Sequence, residues 1–322
     1  MNELAHRVLK LTGASKIIQT EHVQTLWSGY GAIKRFVLEG SHQRNVIVKH
    51  IQLPSETQHP RGWNTEISHL RKLKSYQVEN HWYQHYSSRT NEQCKVPELY
   101  YSLEQGTELL LVLEDMDDSG FARRLSPENV TIEEVKNCLS WLAHFHGQFM
   151  DTNPEGLWEI GTYWHLDTRP DELENMQNQE LKQIAKAVDT KLNQAKYQTL
   201  VHGDAKLANF CFGESADVAA VDFQYVGKGC GIKDVAYLIS SCFDERECER
   251  YEGELLVFYF DQLEISIDKH IDFQDIKKEW SDLYSYAWTD FYRFLDGWSP
   301  GHWKMHAYSK RLVREVINEI EK

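Results

Sequence analysis

The amino-acid sequence predicts an α+β fold with two lobes, in which a small antiparallel sheet precedes a larger and mostly helical region. Two observations support this prediction. Apolar positions alternate as in β-strands early in the chain, and after the acidic stretch at residues 114–118 they recur about every 3.6 residues, as in helices. The chain is also long for a single core, at 322 residues. We therefore expect one lobe over residues 1–115 and the other over residues 116–322.

A glycine turn opens the predicted sheet. Gly29 and Gly31 lie directly before the apolar run at residues 33–38, which predicts a strand, a glycine turn and a strand. Because glycine has no side chain, the backbone of such a turn approaches phosphate groups closely and offers them its N–H groups. An ordinary hairpin turn would show the same two glycines, so this motif alone leaves both interpretations open.

The next predicted strand carries a lysine. Lys49 interrupts the β-branched run at residues 45–51, where it would either contact phosphates or lie on an edge strand with its ammonium group in solvent. A buried lysine needs a carboxylate partner. Glu66 is the candidate, because residues 63–73 have a helical period that places it on an edge able to face Lys49. A solvated glutamate in the first turn of a helix is the alternative.

Two further apolar runs, at residues 96–101 and 109–113, complete an antiparallel sheet of about five strands. The sequence then becomes acidic at residues 114–118, which we interpret as a hinge between the lobes. The polar and aromatic stretch at residues 75–93 interrupts this lobe and gives no clear prediction.

Beyond the hinge, residues 131–150 and 180–196 have the period of helices. His144 and His146 are two residues apart, so a helix places them on different faces and they do not form a metal site. We interpret His146 as a packed core histidine.

The most informative motif lies between two strand-like runs in the second half. His202-Gly203-Asp204 follows the first run, Asn209 lies five residues after Asp204, and Asp222-Phe223-Gln224 follows the second run. A hairpin between the runs would bring Asp204, Asn209 and Asp222 into one pocket. One carboxylate can orient and deprotonate a hydroxyl, while an amide oxygen and a second carboxylate are hard ligands for Mg²⁺. Each residue alone would be expected in an ordinary loop, but the combination indicates phosphoryl transfer.

These motifs, HGDxxxxN and DFQ, resemble those of the aminoglycoside phosphotransferase and choline kinase group, and most closely its ecdysteroid-kinase-like branch. The resemblance extends over about residues 20–310. It implies a bilobal protein-kinase-like fold that uses ATP with Mg²⁺ and a small hydroxylated acceptor. We expect this acceptor to be an amino alcohol such as choline, or an aminoglycoside-like or steroid-like molecule.

The resemblance also implies roles for particular residues. Asp204 would be the catalytic base, with Lys206 offsetting charge on the transferred group, and Asn209 and Asp222 would hold the metal. Asp234 would brace the catalytic loop, with His202 supporting it, and by its position before an apolar helix we also expect Asp234 to be an N-cap. The nucleotide would contact Gly29, Gly31, Lys49, Glu66 and, through the hinge backbone, Glu114 and Met116.

Two alternatives are a protein kinase and a kinase-like binding module without catalysis. A protein kinase would carry His-Arg-Asp, Asp-Phe-Gly and a long activation segment, whereas this chain has Gly203, Gln224 and only a short segment before Val235. An inactive module is disfavoured because the polar residues needed for metal and phosphate are all present. A small-molecule kinase is therefore the favoured interpretation.

The acceptor site is expected near the C-terminal end, where ten of the 29 residues between positions 280 and 308 are aromatic. Most of them share one face of a predicted helix and are expected in the core. Asp290, which we place at a helix boundary, and Trp298 and Trp303, which lie in or beside a Gly- and Pro-containing break, are predicted to line the acceptor pocket.

Composition limits the remaining possibilities. The net charge of −14 argues against a nonspecific nucleic-acid or membrane-surface binder and slightly favours a cationic substrate. The six cysteines form no C-x-x-C pair, so neither a zinc site nor a disulfide framework is indicated. The N-terminus lacks the basic and apolar segments of a secretory signal, and no apolar run is long enough for a membrane span. We expect a cytoplasmic protein, and the sequence does not indicate its oligomeric state.

Overall fold

A computed structural model describes residues 3–26, 29–52 and 66–322 of the chain, apart from the side chain of Glu66. Its first part contains a five-stranded antiparallel sheet in the order β1-β2-β3-β5-β4. The strands are β1 (Lys16–Thr25), β2 (Gly31–Glu39), β3 (Asn45–Gln52), β4 (Leu99–Gln105) and β5 (Glu108–Glu114). The predicted sheet is confirmed.

The position of β3 determines the environment of Lys49. This strand lies between β2 and β5, with Lys49 paired to Ile33 on one side and to Leu111 on the other. Alternate residues of β3 point to opposite faces. Val46 and Val48 pack under helix α1 (Glu3–Thr12), whereas Lys49 points to the other face and is only 4% exposed. The edge-strand interpretation of this lysine is therefore wrong.

Helix α2 (Glu66–His85) is longer than predicted and includes most of the stretch that gave no prediction. Its second half buries Tyr76, Val78, Glu79, Trp82 and Tyr83. These positions recur three to four residues apart, as expected for one broad helical face. Residues 63–65 of the predicted helix lie outside the described part of the chain.

The second part of the chain is mostly helical. Its helices are α3 (Ile132–Gln148), α4 (Pro170–Glu174), α5 (Gln179–Asn193), α6 (Ile232–Cys242), α7 (Glu245–Ser266), α8 (Phe273–Asp282), α9 (Tyr284–Trp298) and α10 (Ala307–Ile320). Helix α3 begins at a capping box formed by Thr131 and Glu134, close to the predicted start. Helix α5 likewise corresponds to the second predicted helix.

Two short two-stranded sheets carry the loops that contain the sequence motifs. Strands β6 (Thr199–Val201) and β9 (Gly227–Gly229) pair antiparallel, as do β7 (Phe210–Phe212) and β8 (Val218–Ala220). The His-Gly-Asp segment follows β6, Asn209 directly precedes β7, and Asp222 follows β8. The two strand-like runs do not pair with each other, so the prediction of a hairpin between them is wrong: β6 pairs with β9, and β8 pairs with β7. The loops after β6 and β8 nevertheless lie together, because His202 Nε2 is 3.0 Å from the carbonyl oxygen of Val221.

The main core joins α2 to the helical part. The Trp82 ring stacks on Phe223 of the Asp-Phe-Gln motif, with centroids 4.6 Å apart, and also contacts Phe145 and Phe149 of the α3 region. These contacts place the second half of α2 in the same hydrophobic cluster as the helices. The division of the chain into lobes after residue 115 stays a prediction.

Two further sequence expectations can be compared with the structure. All six cysteines are free and buried, in agreement with the absence of a disulfide framework. No helix among the described residues is both long and apolar enough to cross a bilayer.

Candidate active site

Asp234 holds the loop that carries Asp204. One carboxylate oxygen accepts a hydrogen bond from the His202 backbone N–H at 2.6 Å, and the other accepts from Gly203 N–H at 3.0 Å. The side chain of His146 is 3.2 Å away and, as predicted, fully buried. Asp234 is therefore not an N-cap: Gly231 has that position, and Asp234 lies in the first turn of α6. Its carboxylate is directed at the loop because two adjacent N–H groups there need an acceptor.

His202 is a structural part of this loop. It is completely buried, its Nε2 is 3.0 Å from the carbonyl oxygen of Val221, and its Nδ1 accepts a hydrogen bond from Asp204 N–H at 3.2 Å. Burial lowers the pKa of His202, so the ring is neutral and donates through Nε2. This side chain thereby links the loop after β6 to the end of β8, next to Asp222.

Asp204 is surrounded by hydrogen-bond donors. Its Oδ2 accepts from Lys206 Nζ at 2.8 Å and from Asn209 Nδ2 at 3.1 Å, and its Oδ1 accepts from the Tyr237 hydroxyl at 3.1 Å. Burial would lower the pKa of Lys206, but the Asp204 carboxylate outweighs this and holds that pKa above its ordinary value. Lys206 is therefore protonated, and it places a positive charge beside the carboxylate. Tyr237 was not predicted from the sequence.

The backbone of Asp222 has an unusual conformation. Its φ of 71° lies in the left-handed region, which few non-glycine residues adopt and which is common at functional sites. One carboxylate oxygen is 3.5 Å from Lys49 Nζ. Burial raises the pKa of Asp222, but the charges of Lys49, Lys206 and Lys72 outweigh it and leave the pKa below its ordinary value. Asp222 is therefore an anion at neutral pH.

Glu79, and not Glu66, is the carboxylate partner of Lys49. Lys49 Nζ donates to Glu79 Oε2 at 2.6 Å, and both side chains are almost completely buried. Burial lowers the pKa of Lys49, but Glu79 and Asp222 together raise it above its ordinary value, so the ammonium is retained. Glu66 begins the same helix 13 residues earlier, which corresponds to a rise of about 20 Å. The prediction of Glu66 is therefore wrong, and the side chain of Glu66 itself lies outside the described structure.

Gln224 connects α2 to the loop that carries Asp222. Its side-chain oxygen accepts hydrogen bonds from Lys72 Nζ at 3.0 Å and from Ser75 Oγ at 3.2 Å. Its backbone carbonyl accepts from Trp158 Nε1 at 2.8 Å. Burial lowers the pKa of Lys72 to about 8. Lys72 was not predicted from the sequence. The sequence feature that indicates it is its position two turns before Glu79 on the same helix.

The glycine turn lies between β1 and β2. Gly31 has a φ of 152°, and a Cβ there would be 2.0 Å from the carbonyl oxygen of His50 on β3. Gly29 has a φ of 73° with open space around it. The turn is tied to α2, because the Tyr30 hydroxyl is 2.9 Å from Nδ1 of His69. Two other residues of the predicted turn, Trp27 and Ser28, lie outside the described residues.

The predicted hinge follows the end of β5. The Glu114 carboxylate accepts hydrogen bonds from Lys95 Nζ at 2.7 Å and from Glu98 N–H at 3.0 Å, so this side chain is already paired with groups of the protein itself. The Met116 side chain is buried against Cys211 and Ala219. Any contact of these two residues with a nucleotide would therefore involve their backbone, as expected from the sequence.

Of the three residues predicted for the acceptor pocket, Asp290 does not fit. It lies within α9 and is 1% exposed, and its oxygens accept from Trp164 Nε1 at 3.0 Å and from Arg293 at 2.8 Å. Lys233 Nζ is 3.6 Å away. A carboxylate already paired in the core cannot receive a cationic substrate without losing these partners. Trp298 and Trp303 are exposed, at 41% and 51%, and are free to contact a ligand.

The donors at this site fit a metal that is bound together with phosphates. Both hydrogen bonds of the Asn209 amide nitrogen go to Asp204, at 2.8 Å and 3.1 Å, which turns Oδ1 away from that residue. This oxygen and the Asp222 carboxylate are hard donors suited to Mg²⁺. Within the described ranges, no group of three or more His, Cys, Asp and Glu residues could hold a metal. Phosphate and water oxygens would complete the coordination, as is usual for Mg²⁺.

Comparisons with known proteins concern the motif region and the fold. A sequence profile of the ecdysteroid kinase-like family matches residues 148–270, the region that contains the His-Gly-Asp and Asp-Phe-Gln motifs. The resemblance identified from those motifs is thereby confirmed. No match is found among curated protein sequences.

Solved structures resemble the chain over nearly its whole length. Amicoumacin kinase hAmiN, in complex with AMP-PNP, Ca²⁺ and Ami, has a TM-score of 0.54 at 15% identity and covers 100% of this chain and 93% of its own. A microcompartment-associated aminopropanol kinase has a TM-score of 0.52 at 15% identity, with 97% and 93% covered. Choline kinase LicA from Streptococcus pneumoniae has a TM-score of 0.50 at 11% identity, with 99% of each chain covered.

These likenesses confirm the bilobal, kinase-like α+β fold that the sequence predicts. The enzyme class predicted from the sequence, a phosphotransferase, is also the class that the family and these neighbours represent.

Proposed function

We propose that this protein is a small-molecule kinase that transfers the γ-phosphate of ATP to a hydroxyl group of a small acceptor. The observation that carries the proposal is the set of contacts around Asp204. Its carboxylate lies beside the Lys206 ammonium and the Asn209 amide, on a loop joined through His202 to the position of Asp222. Phosphoryl transfer depends mainly on positioning and on electrostatic stabilisation, and this arrangement supplies both.

In the proposed mechanism, the hydroxyl of the acceptor donates a hydrogen bond to the Asp204 carboxylate, which orients its oxygen and accepts its proton. Tyr237 and Asn209 fix the carboxylate through hydrogen bonds at 3.1 Å on either oxygen. Lys206 offsets negative charge that develops on the transferred group. The buried pair of Glu79 and Lys49 holds an ammonium group toward the phosphates of the nucleotide.

Mg²⁺ would be held by Oδ1 of Asn209 and the carboxylate of Asp222. A bound Mg²⁺ neutralises charge on the β- and γ-phosphates. Gly29 and Gly31 would bring backbone N–H groups close to the same phosphates, and the backbone at Glu114 and Met116 would meet the adenine ring. The choice of ATP rests on the resemblance of the motifs, since solved structures of similar fold contain either AMP-PNP or GDP.

The acceptor classes expected from the resemblance, amino alcohols, aminoglycoside-like molecules and steroid-like molecules, all carry hydroxyl groups. Trp298 and Trp303 are proposed to contact the acceptor because both indoles are exposed near α9. Asp290 is not part of this proposal.

The experiment is a measurement of ADP release with Mg²⁺ and ATP across a panel of hydroxylated small molecules. The wild type should show acceptor-dependent turnover, and Asp204→Asn should reduce it by ~10² or more while nucleotide binding is retained, since loss of a general base has about this effect. Asp222→Ala should instead weaken binding of the Mg²⁺–ATP complex. Tight Mg²⁺–ATP binding without turnover on any acceptor would favour a binding module. Undiminished turnover of Asp204→Asn would exclude Asp204 as the base.

A further inference from the structure

Lys304 is a buried lysine near Asp204 that the mechanism above does not use. Three lysines in the described part of the chain are buried: Lys49, Lys233 and Lys304. Lys49 is paired with Glu79 at 2.6 Å, and Lys233 has Asp290 at 3.6 Å. Lys304 is 9% exposed, and no salt bridge or hydrogen bond joins its Nζ to the residues that the structure describes. This nitrogen is not completely buried and reaches solvent.

Aromatic rings surround this ammonium group. Its nitrogen lies 4.9 Å from the ring centroid of Tyr237, 5.3 Å from that of Phe291 and 5.6 Å from that of Trp303. The backbone of Lys304 is also fixed, because its N–H donates to His302 Nδ1 and its carbonyl oxygen accepts from Ser309 Oγ. Cation–π contacts of this kind stabilise a cation only in part and offer no acceptor to its N–H groups, which are left to bind water or a ligand.

Lys304 lies near the catalytic carboxylate and carries a positive charge. The ring of Tyr237 contacts Lys304, while the hydroxyl of the same residue donates to Asp204 at 3.1 Å. The side chain of Tyr237 therefore lies between Lys304 and the catalytic carboxylate. Burial lowers the pKa of Lys304 to about 8, so its ammonium form predominates at neutral pH.

Two consequences follow for the acceptor. Tyr237, Phe291 and Trp303 each turn one ring face toward the cation of Lys304, so these faces do not form a free cage for a choline-like ammonium group, while the rest of the Trp303 indole stays exposed. A second cation there would also be repelled by Lys304 and by Lys206 beside Asp204. The net charge of −14 slightly favoured a cationic substrate. At this site, however, the positive charges of Lys304 and Lys206 favour an anionic one.

We propose that Lys304 binds an anionic group of the acceptor, so that the acceptor is a hydroxylated organic acid with a carboxylate at one end and its reacting hydroxyl at Asp204. The inference rests on the proposed function, because that function places the hydroxyl. A carboxylate would supply the acceptors that the surrounding protein does not offer to this ammonium group, and charge-assisted hydrogen bonds of this type are the strong ones.

The first test is a binding measurement that does not require turnover. Lysines are reductively methylated with a ¹³C label, and the Lys304 signal is assigned from its absence in Lys304→Met. The protein is then titrated with para-hydroxymethylbenzoate, with the uncharged para-hydroxymethylbenzamide, and with the cationic para-aminomethylbenzyl alcohol. In each probe a benzene ring separates the hydroxymethyl group from the second substituent, as the ring of Tyr237 lies between Asp204 and Lys304. We expect the benzoate alone to shift the Lys304 signal saturably, and an exposed lysine, Lys228, to remain unaffected.

The second test compares the same probes by turnover and by inhibition of turnover. Wild-type enzyme should favour the benzoate over the benzamide by ~10-fold, the size expected for one charge-assisted hydrogen bond. Lys304→Met should abolish this ratio and Lys304→Arg should keep most of it, with KM for ATP unchanged in both.

A Lys304 signal that the benzoate leaves unmoved, or that the benzamide moves equally, would overturn the inference. So would a raised KM for ATP in Lys304→Met with the probe ratio intact, because Lys304 would then contact the nucleotide. Failure of the proposed function has a different result: the benzoate shifts the Lys304 signal, but no acceptor supports phosphoryl transfer.

Discussion

The pairing of Lys49 with Glu79 leads to a prediction that distinguishes the partner found in the structure from Glu66, the partner predicted from the sequence. Glu79→Gln keeps the size of the side chain and removes its charge. Lys49 Nζ then loses a buried carboxylate at 2.6 Å and retains only Asp222, at 3.5 Å. We expect the ammonium group to move toward Asp222, away from the position in which it would contact phosphates and onto a proposed metal ligand.

The size of the effect can be estimated from the burial of the pair. Removing one partner of a buried ion pair costs about 3–5 kcal/mol, and the side chains of Lys49 and Glu79 are 5% and 2% exposed. Asp222 retains part of the interaction, so we expect the lower end of that range, ~3 kcal/mol. Because Lys49 must return to its position for catalysis, this cost appears in kcat/KM for ATP as a loss of ~10²-fold.

The assay is the rate of ADP release as a function of ATP concentration, with circular dichroism and thermal melting to establish that each variant is folded. Glu66→Gln is the matched control, since it makes the same chemical change about 20 Å away along α2. It should alter kcat/KM by ~2-fold or less. The reasoning would be refuted by a Glu79→Gln enzyme with normal kcat/KM, or by equal losses in the two variants.

Three further variants test other parts of the site. Asp234→Asn puts an amide where two backbone N–H groups of the catalytic loop need an acceptor, so we expect a loss of about 1–3 kcal/mol in urea unfolding together with slower turnover; unchanged values would remove Asp234 from the loop. Gly29→Ala should cost only the left-handed backbone, about 1–2 kcal/mol, whereas Gly31→Ala also drives a Cβ into the His50 carbonyl and should cost more; the reverse order of urea midpoints would contradict the geometry of the turn. Lys72 has its pKa lowered to about 8 by burial, so the unfolded chain binds more protons than the folded protein above that pH, and stability should rise between about pH 8 and 10; Lys72→Met should flatten this rise in the urea midpoint, and an identical rise would show that Lys72 is not desolvated.

The elements of the fold were largely predictable from local pattern. Period-two runs predicted the sheet, including β3 with Lys49, because alternation is a property of each strand alone. The helix that begins after Thr131 was predicted for a similar reason, since its capping box and apolar stripe are local features. The second half of α2 was missed, although its apolar residues have a helical period, because polar residues between them obscured it.

The partners of buried charges were not predictable in the same way. Helix α2 contains two glutamates, Glu66 and Glu79, and the period of a helix orients its residues only relative to one another, so it does not decide which of the two meets Lys49. Long-range contacts, such as the packing of Trp82 on Phe223 and the hydrogen bond from Lys72 to Gln224, determine which turn of α2 lies over Lys49. Asp290 illustrates the same difficulty: its sequence position next to aromatic residues does not reveal that Arg293, Trp164 and Lys233 already surround it.

The sequence by itself determined the chemistry available to this protein: the His-Gly-Asp loop, Asn209 and Asp222 lie beside short strands that the local pattern indicates, and these residue types suit phosphate and Mg²⁺. The tertiary structure alone decided which charges meet, pairing Lys49 with Glu79 and leaving Lys304 without a carboxylate beside Tyr237. The physical reason is that burial and long-range packing fix the energy of a charge. Lys49 and Glu79 are 30 positions apart in the chain, and contacts at such separations are not described by local sequence patterns.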